Sequence, residues 1–183
     1  MKNYVTALGV TFTIALPYAA HAQSVTPPPV PTNIQVDAVS NEAFLVGHAV
    51  GTQNYECQPA AHLGRVAWTL FTPQATLFGE LDEQLITHFF SPNPDEDGII
   101  VRATWQDSRD TSAIWAKAIA SSLDANFVAP GAIPWVKLEV VGAQVGPTGG
   151  DTLAGTTFVQ RLTTEGGAAP PTGCAIPTDI GRK

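Results

Sequence analysis

The chain has 183 residues, of which 44% are hydrophobic and 14% are charged, and sixteen acidic residues against nine basic ones give a net charge of −7. A chain this acidic repels phosphate backbones and anionic lipid surfaces, so nucleic acid is not an expected partner. The length allows one domain with a sizeable core and is too short for two.

The first 22 residues have the pattern of a secretory signal peptide. Lys2 gives a positive start, residues 4–16 form an uncharged, mostly apolar stretch too short to span a bilayer, and residues 20–22 read as an A-x-A cleavage site. Cleavage after residue 20 would expose His21 as an amino-terminal copper ligand, but it would place a bulky side chain where a small one is needed. We therefore predict a mature chain that starts at Gln23, carries eight basic against sixteen acidic residues, has no membrane span and is periplasmic or extracellular.

Two cysteines remain in the mature chain, Cys57 and Cys174. Exported proteins meet an oxidising environment, which favours their pairing in a disulfide bond. The alternative is a pair of buried free thiols. We expect the disulfide, which would stabilise the fold by roughly 4–5 kcal/mol on the chain-entropy model.

A proline-rich lead precedes the domain. Residues 23–33 read QSVTPPPVPTN, a composition that favours extended polyproline geometry over a packed core. We predict a tether over residues 23–42 and a single domain over residues 43–183.

The domain consists of short apolar runs in which apolar and polar residues alternate. Such runs, rich in Val, Ile, Thr and aromatic residues and separated by Gly, Pro, Asn and Asp, are typical of strands. We predict an all-β, single-domain antiparallel sandwich or barrel. The runs are AFLVGHAV, TQNYEC, VAWTLF, ATLF, LITHFF, IIVRATW, PWVKLEVV and TTFVQRLTT.

Alternation also predicts the two faces of one strand. In PWVKLEVV, Val136 and Leu138 share one side with Val140, whereas Lys137 and Glu139 share the other side with Trp135 and should face water. The segment DTSAIWAKAIASS fits either a helical stripe or a strand face, and its Ala and Lys residues favour a helix.

A glycine-rich segment, GAQVGPTGGDTLAG, covers residues 142–155. It has neither the G-x-G-x-x-G pattern nor the G-K-[ST] ending of a phosphate-binding loop, and no alternation of strands with helices surrounds it. It is better interpreted as a flexible hairpin loop. We predict no cofactor.

The segment SPNPDEDG, residues 91–98, allows two interpretations. Asn93, Asp95 and Asp97 stand at alternate positions before a glycine, as in the first half of a calcium loop. The residues that follow do not match the second half of a calcium loop, because Thr104 stands at the position that requires a bidentate Glu. Asp97-Gly98 between two apolar runs is instead a strong hairpin signal, so we favour an ordinary turn over a weak, millimolar calcium site.

Other candidate sites are weaker. The histidines His48, His62 and His88 show no metal-binding spacing, and an isolated His on a strand is usually structural. No G-x-S-x-G motif is present, and bridged cysteines leave no nucleophile, so no catalytic residue is predicted. A carboxylate pair for glycoside hydrolysis remains open among Glu80, Asp82 and Glu83, although a solvated turn is the simpler interpretation.

Four tryptophans are enough for a sugar-stacking face, but aromatic residues in a small β domain belong first to the core. They are Trp68, Trp105, Trp115 and Trp135.

Nearly the whole mature domain resembles a family of exported bacterial and fungal proteins known only as a domain of unknown function. The similar segments include GTQNYEC, THFFSPNP, RATWQDSRDTSAIWAKAIASS, PGAIPWVKLEVVGAQVGPTGGDTL and TTFVQRLTTEGGAAPPTGC. The resemblance favours a strand over residues 110–122. It also places four residues at positions of the family pattern, which we take as candidate ligand-binding residues: His88, Trp105, Trp135 and Arg161.

The resemblance implies one departure. Proteins of this family continue past the position of Gly181 with another aromatic-rich strand, whereas this chain ends at Lys183. A missing strand would leave an open sheet edge, so we expect lower stability or self-association.

Taken together, the sequence favours a binding or structural module of the cell envelope or extracellular space, with a glycan or protein as its ligand. The alternative is a secreted hydrolase acting on an envelope or environmental polymer, with His88 and the acids near residues 80–83 as candidates.

Overall fold

The computed structural model describes residues 25–61 and 64–183, so the predicted signal peptide and His62 lie outside the described residues. Seven antiparallel strands form one curled sheet, a half-barrel, in a single domain. Each strand pairs with the next along the chain, so the order of strands in the sheet is the order in the sequence. The prediction of a single-domain antiparallel β protein is confirmed, and the curled sheet corresponds to an incomplete barrel.

Short 3₁₀ helices accompany the strands in the described part of the chain. Three 3₁₀ helices of three residues each lie at Thr32–Ile34, Pro94–Glu96 and Pro177–Asp179. Among the described residues, no helix is long and apolar enough to cross a membrane. The strands are β1 (His48–Pro59), β2 (Val66–Phe78), β3 (Gln84–Pro92), β4 (Val101–Asp107), β5 (Ala113–Ser122), β6 (Trp135–Gln144) and β7 (Phe158–Arg161).

Runs predicted as separate strands are joined in β1 and β2. The runs VAWTLF and ATLF form one strand through Pro73, which lies opposite Gln53 near a register shift in β1. β3 pairs with β2 only from Ala75 onward. β2 therefore has an open side at Pro73, and a strand with an open side tolerates a proline.

The larger hydrophobic cluster fills the inner face of the curled sheet. Its buried members come from β3 to β6 and from the loop after β6: Ile86, Trp105, Ile114, Ala116, Leu138 and Leu153. Four consecutive residues of β5, Ala113–Ala116, are buried, which shows that both faces of this strand are covered. The strand predicted within residues 110–122 is confirmed, and it covers Ala113–Ser122.

A second cluster lies on the outer face, where the chain before β1 crosses β6. Ile34 is fully buried there against Val128, Ala132 and Trp135. The domain boundary at residue 43 stays a prediction, but residues within the expected tether contribute to the core. Lys137, expected to face water, is half-buried and donates a hydrogen bond to the Gln35 carbonyl oxygen at 2.8 Å.

The glycine-rich segment joins β6 to β7, which confirms a hairpin connection. Side chains of the β4–β5 turn hold the backbone of this segment. The Asp110 carboxylate accepts the Thr152 N–H at 2.9 Å, and the Ser112 hydroxyl accepts the Leu153 N–H at 3.1 Å. A Cβ atom added at Gly150 would collide with the Asp110 side chain. This glycine therefore permits close packing, and the loop is anchored at that point.

A disulfide bond joins Cys57 to Cys174 across 117 residues, as predicted. Next to it the C-terminal segment pairs with β1, because the Cys57 N–H donates to the Arg182 carbonyl oxygen and the Gly181 N–H donates to the Cys57 carbonyl oxygen. This pairing covers one part of the β1 edge. Residues 48–52 of the same strand are exposed.

Candidate functional site

His88 and Trp105 lie opposite each other on β3 and β4, with their side chains on the inner face. Their rings stack with centroids 4.3 Å apart and planes inclined by 17°. The His88 Nδ1 atom lies 2.8 Å from the Thr104 carbonyl oxygen. Because a carbonyl oxygen only accepts, Nδ1 carries the proton, and the neutral ring has an unprotonated Nε2.

Burial and a nearby cation keep His88 neutral. The pKa of His88 is lowered from 6.5 to about 4, mainly by burial of the ring and to a smaller extent by the charge of Arg161, against the opposing effect of the Thr104 carbonyl. The Nε2 atom makes no hydrogen bond within the described part of the chain, yet it is not among the buried unpaired atoms. Within the described part of the chain, Nε2 is therefore an acceptor without a hydrogen bond.

Arg161 is the last residue of β7 and lies opposite Val136, which packs in the inner cluster. Its Nη2 donates to the Pro134 carbonyl oxygen at 2.8 Å, whereas its Nε is buried without a partner. Burial lowers the pKa of the guanidinium, but an arginine stays charged in a protein. No carboxylate pairs with Arg161 among residues 25–61 and 64–183, and the remaining residues contain no Asp or Glu.

Tyr55 completes this group. Its hydroxyl donates to the Gly167 carbonyl oxygen at 2.9 Å, and its ring lies near enough to Arg161 to influence the pKa of the guanidinium. We call Tyr55, His88, Trp105 and Arg161 the inner polar cluster. Tyr55 was not among the predicted ligand-binding residues, although its place in the GTQNYEC motif was a usable signal.

Trp135, the fourth predicted residue, lies apart from the inner polar cluster. It belongs to the outer cluster with Ile34, and its ring meets that of Phe127 edge-on at 5.7 Å. Its neighbour Val136 faces the inner cluster, as strand alternation requires. The structure therefore brings three of the four predicted residues together and separates Trp135 from them.

The acid-rich segment forms the turn between β3 and β4. Residues 93–100 connect the two strands through the 3₁₀ helix Pro94–Glu96, after which Asp97 and Gly98 both have a positive φ, of 59° and 64°. Asn93 is fully buried, with its side-chain oxygen accepting the Asp95 N–H at 3.1 Å. One Asp95 oxygen accepts the Ala143 N–H at 3.1 Å. The hairpin is confirmed, and calcium binding stays a prediction.

In the described part of the chain, His48 and the acids near residues 80–83 form no common site with His88. His48 lies 3.0 Å from Glu80 on the exposed surface, and a Glu83 oxygen accepts the Leu81 N–H. None of these acids contacts His88 in the described part of the chain. No group of three or more His, Cys, Asp or Glu residues suited to a metal ion is found among the residues that the structure describes.

The other tryptophans have structural contacts. Trp115 is buried, and its indole N–H donates to the Ser91 hydroxyl at 2.8 Å. Trp68 donates to the Thr172 carbonyl oxygen at 3.1 Å. Because Trp105 is also buried, with one ring face against His88, these contacts favour a core role over a sugar-stacking face.

The fold and site together define a disulfide-linked half-barrel of seven antiparallel strands with a small polar cluster on its inner face. The chain belongs to DUF3455, a family of proteins of unknown function, whose model matches residues 38–179. No curated protein matches the chain, and no solved structure matches it either.

Proposed function

We propose that this protein is a binding module of the periplasm or extracellular space that takes a small ligand at the inner polar cluster. The ligand directs an anionic or hydrogen-bond-accepting group toward Arg161. A glycan or a protein segment with such a group fits this description.

The observation that carries the proposal is the uncompensated charge of Arg161. A buried or half-buried cation is normally paired with a carboxylate, because desolvating an unpaired charge is costly. Among residues 25–61 and 64–183, Arg161 has only the Pro134 carbonyl as a hydrogen-bond partner, and its Nε makes no hydrogen bond. An anionic group from a ligand would compensate this charge.

Export is supported by two independent features. The first 22 residues have the pattern of a signal peptide, and the Cys57–Cys174 disulfide suits an oxidising compartment. A half-barrel fixed by this bond holds the cluster on strands, which position side chains more rigidly than loops do.

The contacts favour a binding module over the alternative, a secreted hydrolase. Hydrolysis by acid and base needs a carboxylate or nucleophile within hydrogen-bond reach of the reacting group. Glu80 pairs with His48 on an exposed turn, whereas His88 stacks on Trp105 across the inner face. Because of this separation, His88 has no acidic side chain within hydrogen-bond reach among the described residues.

Ligand binding to the mature chain tests the proposal. Thermal shift and ¹H–¹⁵N NMR would be measured with acetate, phosphate, sulfate, neutral monosaccharides and short peptides. We expect at least one probe to shift the signals of His88 and Arg161, and Arg161→Gln to abolish that effect. The matched control is Arg109→Gln, which removes the same charge from an exposed turn.

Two outcomes would contradict the proposal. A probe that binds Arg161→Gln as tightly as the unchanged chain would place the ligand elsewhere. Turnover of polysaccharides or esters that is lost in His88→Ala would favour the hydrolase.

A further inference from the structure

A groove lies on the outer face of the sheet, where β1, β2 and β3 run side by side. Its volume is about 380 Å³, within the range of roughly 300–1,000 Å³ that small-ligand sites have. Val50 lies opposite Thr76, and Thr76 lies opposite Thr87. Since side chains alternate along a strand, these three point away from the face that holds the His88 ring. The residues that line the groove are Val50, Gln74, Ala75, Thr76, Thr87, His88 and Phe89.

Three side chains give the groove hydrogen-bonding groups that the described chain leaves unused. The Gln74 side-chain oxygen accepts the Asn54 amide at 3.2 Å, and the Thr87 hydroxyl accepts the Gln84 amide at 3.3 Å. Within the described part of the chain, the Gln74 amide nitrogen and the Thr87 hydroxyl proton donate to nothing, and the Thr76 hydroxyl makes no hydrogen bond at all. A hydroxyl both donates and accepts, so these groups match a ligand whose polar atoms do both.

We infer that this groove binds a neutral saccharide. The site lies on the opposite face of the sheet from the inner polar cluster, so it does not depend on Arg161. Apart from His88, whose ring points to the inner face, no residue that lines the groove is titratable. An ionic ligand would lose its hydration there without gaining a counter-charge, whereas sugar hydroxyls are uncharged and each can donate and accept.

Apolar surface completes the match to a sugar ring. The Val50 side chain is 68% exposed, and Phe89 is half-buried. The C–H face of a pyranose can pack on such surface, because an aromatic ring offers a large apolar area. A wholly apolar ligand would instead bury the Thr76 and Thr87 hydroxyls without partners, which costs free energy.

A peptide strand fits this groove less well. Peptides add to a sheet by pairing with a free edge strand. At the groove the main chains of the three strands already pair with one another, from Val50 through Thr76 to Thr87. Recognition there therefore depends on side chains, which favours the saccharide.

NMR titration of the mature chain with cellobiose, maltose and chitobiose tests the inference. Sorbitol is the control ligand, since it carries hydroxyls but has no ring. We expect at least one disaccharide to shift the backbone signals of Thr76 and Thr87, with the same affinity in Arg161→Gln, and sorbitol to shift neither. No shift with any of the three disaccharides would overturn the inference, and so would shifts from short peptides alone.

Variants of matched shape assign the contact. Thr76→Val removes a hydroxyl from the groove and keeps a β-branched side chain, so the affinity should fall about tenfold, the loss that one hydrogen bond gives. Thr69→Val is the control, because Thr69 is exposed on the same strand and does not line the groove. Equal losses in the two variants would overturn the inference.

The Arg161→Gln variant separates this inference from the proposed function. Disaccharide binding that disappears in Arg161→Gln would place the sugar at the inner polar cluster, which overturns the outer site and leaves the proposed function standing. Disaccharide binding that persists, with no probe affecting the Arg161 signals, would support the outer site and remove the proposed function.

Discussion

The imidazole of His88 lies flat against the indole of Trp105, with ring centroids 4.3 Å apart, and its Nδ1 is held by the Thr104 carbonyl. Two contacts thus fix both the plane and the tautomer of one ring. Among the described residues, the charge of Arg161, four strands away in the sheet, opposes protonation of His88. The inner polar cluster therefore holds one positive charge and one neutral base.

Because of His88, the free energy of unfolding should decrease as the pH is lowered. The pKa of His88 is lowered to about 4 in the folded chain, whereas an unfolded histidine titrates near 6.5. Between these values the unfolded chain binds more protons, so acidification favours unfolding. The difference between the two pKa values corresponds to roughly 3 kcal/mol of stability. This stabilisation is fully present above pH 6.5 and is lost as the pH falls to about 4.

Urea unfolding from pH 7 to 5 would measure this loss. The window lies above the range in which carboxylates titrate; Glu96, for example, has its pKa lowered to about 2 by hydrogen bonds from Arg102 and Asn93. His88→Gln, which cannot titrate, should flatten the profile between pH 6.5 and 5. An unchanged slope in that variant would contradict the assignment.

Loss of the disulfide should destabilise the fold strongly. The Cys57–Cys174 bond closes a loop with a sequence separation of 117, which corresponds to roughly 4–5 kcal/mol on the chain-entropy model. Denaturant unfolding of Cys57→Ala/Cys174→Ala, compared with the oxidised chain, would measure it. Two reactive thiols in the purified, denatured but unreduced protein would show that the bond does not form.

Calcium should leave the melting temperature unchanged. The Asn93 side-chain oxygen and one Asp95 oxygen already accept backbone N–H groups, so a cation would have to displace protein hydrogen bonds. Differential scanning fluorimetry with millimolar calcium, and with magnesium as a control, would check this expectation. A calcium-specific rise in melting temperature that Asp97→Asn abolishes would establish the site instead.

The exposed part of β1 should support self-association. Residues 48–52 are exposed at the edge of the sheet, and Val50 is 68% exposed. Unpaired edge groups tend to pair with another strand, and a lysine at an edge opposes this. Light scattering across a concentration series should detect association that Val50→Lys reduces.

Leu123→Lys is the matched control for this prediction, because Leu123 is equally exposed but follows the end of β5. A compact monomer at every concentration would contradict self-association. An equal effect of both lysines would show that added charge alone, and not the β1 edge, changes the association.

Alternation along a strand is a local property, and it predicted which residues of β6 share a face, but not that the face with Lys137 is partly covered. Val136 and Leu138 pack inward, and Trp135 lies on the other face. In β5 the sequence was ambiguous, because alanine and lysine favour a helix. Burial of both faces over Ala113–Ala116 resolved the ambiguity, and such burial depends on what the rest of the chain places there.

The inner polar cluster could be predicted only in part. From the family resemblance we took His88, Trp105, Trp135 and Arg161 as candidate ligand-binding residues and left out Tyr55. His88 and Arg161 belong to strands three and seven, and a flat sheet of this order would keep them far apart. The curl of the sheet brings them together, and no local pattern encodes that curl.

The sequence by itself determined the acidic charge, the cysteine pair, the period-two strands and the turn at Asp97-Gly98, because each depends on residue types close in the chain or on chemistry that needs no geometry. Only the tertiary structure decided that Ile34 packs on the outer face, that Trp135 lies apart from His88, and that Arg161 has no acid partner among the described residues. These features arise from contacts between segments far apart in sequence, whose combined burial energy sets how the sheet curls and what covers it.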